Sequence, residues 1–308
     1  MNSAPAAIEP APGAGPWRTL LRRLRRNRAA LVALVVIAVL IALALGAAWF
    51  APHAYQDQFR GAEMKPPGTR QLTRRPGELE EASRAFVLGT DVNARDILSR
   101  MIYGARVSLS VGILATLVSL ALGVLIGLLS GYFGGWLDAC LMRLTDTVFA
   151  FPSVLLAVAI TAVFDKPSFL VVFFALGLVG WTGIARVVRS QVLSVKTLDY
   201  IAAARALGAG HGRILLYHVL PNCLGPIVVL GTLSVGGNIL GEAGLSFLGL
   251  GVQEPYPSWG GMLADAQGHY RDAWWLAVFP GLAIVATVLA FNLFGDGLRD
   301  ALDPRTQK

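Results

Sequence analysis

The sequence predicts an all-α, polytopic membrane protein with six transmembrane helices. Of its 308 residues, 55% are hydrophobic and only 15% are charged, and the mean hydropathy is +0.60. This composition is typical of membrane proteins rather than of soluble domains. A helix needs ~20 apolar residues to cross a hydrocarbon core about 30 Å thick. Six segments are candidates for such helices: residues 29–50, 107–131, 147–164, 168–185, 226–241 and 274–294.

The first apolar segment follows a cluster of basic residues, as it would in a secretory signal peptide. Its apolar stretch is longer than the 7 to 15 residues typical of such a leader, and no cleavage site is evident. We therefore expect a tail over residues 1–28 and an uncleaved first transmembrane helix over residues 29–51. The basic cluster consists of Arg18, Arg22, Arg23, Arg25, Arg26 and Arg28.

The distribution of lysine and arginine predicts the orientation, because short loops rich in these residues stay in the cytoplasm. The tail 1–28, the connection 186–222 and the end 299–308 are basic, so both termini are predicted to be cytoplasmic. Residues 52–106 then form an external loop, whose part 94–106 is predicted to be a short interfacial helix. The remaining core permease domain spans residues 107–298.

Several function classes are disfavoured by what the sequence lacks. It has no GxxxxGK[ST] phosphate loop, no HExxH and no GxSxG motif, so no ATP binding by this chain and no catalytic role are expected. The four histidines lack metal-ligand spacing, and the two cysteines suggest no disulfide. No ionisable residue lies in the middle of a predicted span, which argues against a carrier driven by an ion gradient. Basic residues flank the apolar runs, so the net charge of +7 indicates topology and not nucleic-acid binding.

A helix-prone polar segment, residues 199–222, lies between two predicted spans. Residues 200–207 are rich in alanine, and Gly208 can adopt a positive φ or allow a close backbone approach. A helix, a turn and a second helix are predicted here, with Pro221 at the approach to the next span. Such a segment is suited to docking a protein outside the bilayer; a plain linker is the alternative.

This segment resembles the cytoplasmic loop of the membrane subunits of ATP-binding-cassette importers. The family pattern is EAA, three residues, G, nine residues, I, one residue, LP, and it falls here on Ala202-Ala203-Ala204, Gly208, His218 and Leu220-Pro221. Ala202 stands where the family has glutamate, and His218 stands where it has isoleucine. The resemblance implies the type I importer permease fold and an ATPase-coupling role for the loop, to which Tyr200, Arg205 and Leu207 also belong.

Three further segments are similar to the second permease subunit of dipeptide and oligopeptide importers: residues 88–106, 242–260 and 291–305. In the second of these, Glu254 stands where proline is usual. The resemblance implies that this segment is an external gate or a contact for a solute-binding protein, and an ordinary surface connection is the alternative. The candidate residues are Glu242, Ser246, Phe247, Gly249, Gly251, Pro257 and Trp259.

The resemblance implies a subunit of an ATP-driven importer in the bacterial cytoplasmic membrane. Its expected partners are a homologous second permease, two cytoplasmic ATPase subunits that hold ATP and magnesium, an external solute-binding protein and the lipid bilayer. Di- or oligopeptides are the expected substrates, with nickel chelates or glutathione as alternatives. An ATP-independent carrier or channel is the remaining alternative, and a membrane enzyme is disfavoured because the acidic residues are dispersed.

Overall fold

The computed structural model describes residues 22–75, 77–78, 80–165 and 167–302. Five of its helical segments are long and apolar enough to cross a membrane, and two shorter helices form a bent pair that makes a sixth when counted as one. The predicted helical, polytopic architecture is therefore confirmed. Most of the predicted tail 1–28 and the last six residues of the predicted tail 299–308 lie outside the described residues.

The helices are numbered here in chain order. They are α1 Arg28–Leu45, α2 Ala47–Phe50, α3 Ile97–Phe133, α4 Gly135–Phe149, α5 Ser153–Thr161, α6 Phe169–Val195, α7 Asp199–Ala206, α8 His211–Ile214, α9 Leu220–Phe247, α10 Trp259–Asp265 and α11 Trp275–Leu302. Residues 22–26 are also helical. A π-helical segment, Leu215–Val219, joins α8 to α9, so helical backbone continues from His211 to Phe247.

The predicted third span, residues 147–164, is not one straight helix. Helices α4 and α5 meet at an angle of 83°, with the break at residues 150–152. Pro152 lies at this break and lacks a backbone N–H, and its ring disfavours helical backbone at Phe151. The third span in chain order is therefore a bent pair of helices that begins at Gly135, well before the predicted boundary.

The prediction of a separate interfacial helix at residues 94–106 is wrong. Helix α3 runs without interruption through 37 residues, a length of about 55 Å at 1.5 Å per residue. Asp96 caps its start, because its carboxylate accepts a hydrogen bond from the Ser99 N–H at 2.8 Å. Ile97, Ile102 and Ala105 are buried, so this first part of α3 packs inside the protein.

The predicted external loop contains an antiparallel hairpin that the all-α prediction missed. Strand β1, Thr69–Thr73, pairs with strand β2, Ala82–Phe86, with Thr69 opposite Phe86. Phe59 and Phe86 are fully buried, and their rings contact edge to face with centroids 5.2 Å apart. The hairpin is therefore fixed by a small aromatic core of its own.

Helices α3 and α6 pack closely because α3 presents glycine every fourth residue. A Cβ atom added to Gly123, Gly127 or Gly131 would lie 2.6 to 2.8 Å from atoms of α6, closer than real side chains approach. Small residues at such spacing let helix backbones pack tightly in membranes. The two helices are thus the most closely packed pair in the described structure.

The two ends of the described chain lie at the same end of the helix bundle. Arg23 Nη1 donates a hydrogen bond to the Ala301 carbonyl oxygen at 3.2 Å. At the opposite end, Trp275 Nε1 donates to the Thr90 carbonyl at 3.2 Å, which joins the hairpin region to the start of α11. This arrangement is the one that an even number of membrane crossings requires.

Candidate functional site

The segment between α6 and α9 has the predicted helix–turn–helix form. Helix α7 ends in a turn in which Gly208 has φ +83°, and the Gly208 and Ala209 N–H groups donate to the Arg205 and Ala204 carbonyls at 3.0 and 3.1 Å. Left-handed backbone strongly favours glycine at this position. The prediction of a positive φ at Gly208 is therefore confirmed. We call residues 199–222 the coupling loop below.

The outer surface of the coupling loop is formed by most of the residues that the sequence singled out. Leu207 is 89% exposed and Tyr200 is 42% exposed, and a Cβ atom added to Gly208 would meet no atom within 4 Å. Ala204, His218 and Leu220 are half-buried, whereas the remaining candidates are exposed: Ala202, Ala203, Arg205 and Pro221. Their assignment to ATPase coupling stays a prediction.

Two isoleucines that the sequence analysis missed anchor the coupling loop. Ile201 and Ile214 are fully buried and pack in one apolar cluster with Tyr132, Val192 and Val195 at the ends of α3 and α6. Ile201 is the only large aliphatic residue in α7, which is the signal that would have identified it. Each buried side chain of this size contributes about 1.5–3 kcal/mol, so the loop is held firmly on the bundle.

Hydrogen bonds add to this packing in and beside the coupling loop. The Tyr132 hydroxyl and His211 Nδ1 lie 2.9 Å apart, and Lys196 Nζ donates to the Gly131 carbonyl at 2.7 Å. Asn222 Nδ2 donates to the His218 carbonyl at 2.7 Å. The Tyr132–His211 contact thus joins the coupling loop to α3, and the Lys196–Gly131 bond joins the end of α6 to α3.

Beside the Gly208 turn, the described structure has an open groove that the sequence analysis did not predict. It is lined by Gly212, Arg213, Leu216, Tyr217 and His218, and Leu216 and Tyr217 are 58% and 74% exposed. Exposed aromatic and aliphatic side chains around a groove favour contact with another protein.

A charged pair braces the bundle next to the coupling loop. Asp138 of α4 accepts two hydrogen bonds from the Arg189 guanidinium of α6, at 2.7 and 2.6 Å, and the Ser130 hydroxyl also donates to Asp138. The side chains of Asp138 and Arg189 are 18% and 33% exposed, so water screens this ion pair only partly.

We expect the Asp138–Arg189 pair to contribute coupling energy of about 1 kcal/mol or more to subunit stability, because bidentate, charge-assisted pairs exceed the usual surface value. Asp138→Asn, Arg189→Gln and the double variant form a double-mutant cycle that thermal unfolding in detergent can measure. Strictly additive losses would contradict this role.

The second candidate region, around the end of α9, is mostly buried. Glu242 is fully buried, and its carboxylate accepts hydrogen bonds from the Ser246 and Ser108 hydroxyls at 2.7 and 3.2 Å. Trp259 is 1% exposed and donates from Nε1 to the Met101 carbonyl at 3.0 Å. These contacts tie α9 and the start of α10 to α3. The sequence did not reveal that Glu242 lies inside the protein.

Of the other gate candidates, Phe247 is 48% exposed and Gly249 is also exposed, whereas Gly251 and Pro257 are buried. Direct contact with an external protein is therefore open to Phe247 and Gly249. The buried candidates can act only by positioning the loop, and the gate assignment stays a prediction.

An ionic cluster holds the same loop against the start of α3. Arg95 donates to Asp91 at 2.7 Å and to Glu254 at 2.6 Å. Burial lowers the pKa of Arg95, but its pairs with Asp91 and Glu254 outweigh burial and raise it. Burial likewise raises the pKa of Glu254, but the hydrogen bond from Arg95 outweighs it and lowers the pKa. The loop is thus fastened by an ion pair across 159 residues of sequence.

No group of three or more His, Cys, Asp or Glu residues is arranged to hold a metal ion within the ranges that the structure describes.

The chain matches two family models. The model of the binding-protein-dependent transport system inner membrane component covers residues 123–308. The model of the N-terminal transmembrane domain of oligopeptide transport permease C covers residues 15–67.

Curated relatives match nearly the full length. The chain is 41% identical over 290 residues to a dipeptide transport system permease protein of Alkalihalophilus pseudofirmus, covering 94% of this chain and 90% of that protein. It is 44% identical over 293 residues to the dipeptide transport system permease protein of Escherichia coli K12, covering 95% and 94%. It is also 42% identical over 290 residues to a glutathione transport system permease protein of Pectobacterium atrosepticum, covering 94% and 91%.

Solved structures share the fold. The inward-facing methionine ABC transporter MetNI contains a chain with a TM-score of 0.56 at 18% identity, covering 67% of this chain and 98% of that one. An amino acid ABC transporter solved with histidines gives 0.51 at 16% identity, covering 67% and 95%. This likeness confirms the predicted importer permease fold.

Proposed function

The chain belongs to the family of binding-protein-dependent transport system inner membrane components, and we propose that it is the permease subunit through which an ATP-driven importer takes di- or oligopeptides into a bacterial cell. The membrane permease role follows from the family itself. The substrate, the partner subunits and the cytoplasmic position of both termini are the proposed part.

The substrate class is supported by the relatives. Two of those described above are named for dipeptide transport, and the N-terminal region matches the model named for oligopeptide permease C. The relative named for glutathione transport is 42% identical, and glutathione is itself a short peptide. A peptide-sized solute with free charged groups is therefore the best supported cargo, and glutathione is the second candidate.

The observation that carries the coupling proposal is the coupling loop itself. Its exposed residues, Leu207 and Gly208, stand on a base whose Ile201 and Ile214 pack against α3 and α6 and whose His211 contacts Tyr132 of α3. A force applied to the tip therefore moves whole helices instead of bending a flexible linker. We expect two cytoplasmic ATPase subunits to bind this loop and its equivalent on a homologous second permease, and their closure on ATP to switch the pathway between inward and outward access.

In this arrangement the chain binds no nucleotide and performs no chemistry, since ATP and magnesium reside on the ATPase subunits. The external solute-binding protein delivers the peptide to the end that carries the hairpin and α10. Many apolar side chains on the outside of the bundle are exposed in the isolated chain, for example Leu155 of α5 and Leu170 and Phe174 of α6. Lipid or the second permease would cover them.

Reconstitution tests this proposal. Vesicles that contain the purified permeases and ATPases, supplied with the binding protein, are expected to accumulate labelled dipeptide only when ATP is present on the ATPase side. A hydrolysis-deficient ATPase is the matched control and should reduce uptake to background. Uptake that persists without ATP, or an ATP-dependent complex that moves no peptide, would contradict the proposal.

A further inference from the structure

A cavity of about 160 Å³, with both charged and apolar lining residues, lies between the loop after α9 and helix α10. Its lining includes Arg100, Gly251, Glu254, Tyr256 and Asp265. It is at the end of the bundle opposite the coupling loop, which is the external end in the proposed topology. The cavity is open to the surface on one side, so a bound molecule can project from it.

Arg100 lies at the buried side of this cavity with unused hydrogen-bonding capacity. Its side chain is only 4% exposed, yet Nε and Nη1 are buried without a hydrogen-bond acceptor in the described part of the chain. The nearest carboxylate oxygens, on Asp91, Asp265 and Glu254, are 3.4, 3.7 and 4.0 Å away. A buried guanidinium with unsatisfied donors is costly unless an acceptor completes it.

The neighbouring arginine is better paired, although its Nη2 is also buried without a hydrogen-bond acceptor in the described residues. Arg95 donates to Asp91 and Glu254 in short hydrogen bonds, so it already has carboxylate acceptors for two of its nitrogens. Arg100 lines the cavity, whereas Arg95 is not among its lining residues, so Arg100 is the arginine of the cluster that faces the cavity. A carboxylate is the acceptor that best matches the guanidinium fork.

Asp265 offers the complementary group on the rim of the same cavity. Its side chain is 41% exposed, and its Oδ2 lies 3.7 Å from Arg100 and 3.8 Å from Arg95, beyond hydrogen-bond length. Burial raises the pKa of Asp265, although the two arginines lower it. A cation placed beside this carboxyl group would stabilise its ionised form.

We propose that this cavity is a binding site for a short, unblocked peptide, whose terminal carboxylate pairs with Arg100 and whose ammonium group pairs with Asp265. This site rests on the proposed function and assigns a substrate contact to the permease itself. The ionic cluster has two positive groups, Arg95 and Arg100, and three negative ones, Asp91, Glu254 and Asp265, for a sum of −1. A zwitterion leaves that sum unchanged, whereas a simple anion adds repulsion.

A cysteine reporter inside the cavity gives a readout that does not depend on transport. Ala264 lines the cavity and differs from cysteine by one sulfur atom. Ala264→Cys is placed in a transporter that carries Cys140→Ser and Cys223→Ala, reconstituted in vesicles without the binding protein. The rate of its labelling by a membrane-impermeant maleimide is then measured against increasing glycylglycine, glycylglycine amide and N-acetylglycylglycine.

Glycylglycine is expected to slow labelling, and each blocked analogue should need on the order of tenfold higher concentration, because each has lost one charge-assisted contact. Arg100→Gln should remove the preference for the acid over the amide. Asp265→Asn should remove the preference for the free amine over the acetylated one. Arg60→Gln, an exposed arginine outside the cavity, should leave both preferences intact.

This pattern separates peptide recognition from protein stability. A substitution that only disturbs the structure weakens the binding of all three peptides equally. If Arg100→Gln fails to fold, the protection given by the three peptides in the protein with Arg100 and Asp265 intact still tests the proposal. Equal protection by all three peptides, or no protection by any of them, would overturn the site. Peptide uptake without protection would overturn only this site, whereas selective protection without uptake would overturn the proposed function and leave the site standing.

Discussion

Replacing Gly208 with tryptophan is expected to abolish substrate-stimulated ATP hydrolysis by the assembled transporter while the permease subunit stays folded. Gly208 has φ +83°, and a Cβ atom at this position would meet no atom of the chain within 4 Å. The indole ring would therefore project into the space in which we propose the ATPase to sit. The left-handed backbone costs a non-glycine residue about 1–2 kcal/mol, which a helical bundle of this size tolerates.

A matched control separates backbone strain from the lost contact. Gly68 has φ +81° and equally open surroundings, but it lies beside the hairpin at the other end of the molecule. Gly68→Trp should carry the same strain and keep the ATPase bound to the purified complex, a readout that does not need the external binding protein, whereas Gly208→Trp should lose it. Normal stimulation in Gly208→Trp, or an equal loss in both variants, would remove the coupling role of this turn.

Replacing Gly127 with leucine is expected to have the largest effect on stability. A Cβ atom at Gly127 would lie 2.6 Å from the Ala185 carbonyl oxygen, 2.7 Å from Val188 Cβ and 3.0 Å from the Arg189 backbone nitrogen. Two of these neighbours are backbone atoms that cannot rotate away, so α3 and α6 must separate. Overpacking usually costs 1–3 kcal/mol, and a clash with backbone should exceed about 3 kcal/mol.

Thermal unfolding of the complex in detergent, followed by size-exclusion chromatography, measures this loss. Gly183→Leu on α6 is the control, because a Cβ atom there would meet nothing within 4 Å and leucine favours helix over glycine by almost 1 kcal/mol. The control should unfold at or above the wild-type temperature. A Gly127→Leu protein as stable as the control would show that the close approach of α3 and α6 is dispensable.

Features governed by local sequence were predictable. The apolar segments identified the membrane helices because helix length in a bilayer depends on hydrophobicity over ~20 residues. The alanine-rich run before Gly208 similarly predicted a helix that ends in a left-handed turn. Glycine adopts this backbone conformation without contacts to distant residues. The start of α1 is also local, because Asn27 caps it by accepting a hydrogen bond from the Ala30 N–H.

Features that depend on distant segments were not predictable from one sequence. Arg100 and Arg106 made the start of α3 look like an interfacial helix, but Arg100 is buried beside Asp91, Asp265 and Glu254, and Arg106 donates to the Ala44 carbonyl of α1 at 2.9 Å. Except for Asp91, these polar partners lie far away in sequence, and they let α3 continue as one helix. The same applies to Glu242, whose partner Ser108 lies 134 residues away.

The hairpin and the bend at Pro152 illustrate two further limits. Strands β1 and β2 lack a clear alternation of apolar and polar residues, and Phe86 is buried by the ring of Phe59 from outside the hairpin. Pro152 indicated a break in a helix but not its angle of 83°, which depends on packing. Ile201 of the coupling loop was missed because its role appears only when α7 packs on α3 and α6.

The central claim is that the tip of the coupling loop touches the ATPase, and photo-crosslinking tests it directly. Leu207, 89% exposed at the tip, and Leu248, 59% exposed near the other end, are each replaced by a photoreactive phenylalanine analogue in the assembled transporter. Light should join position 207 to an ATPase subunit and leave position 248 without an ATPase adduct. Position 207 free of any ATPase adduct in an intact, ATP-hydrolysing complex would contradict the account.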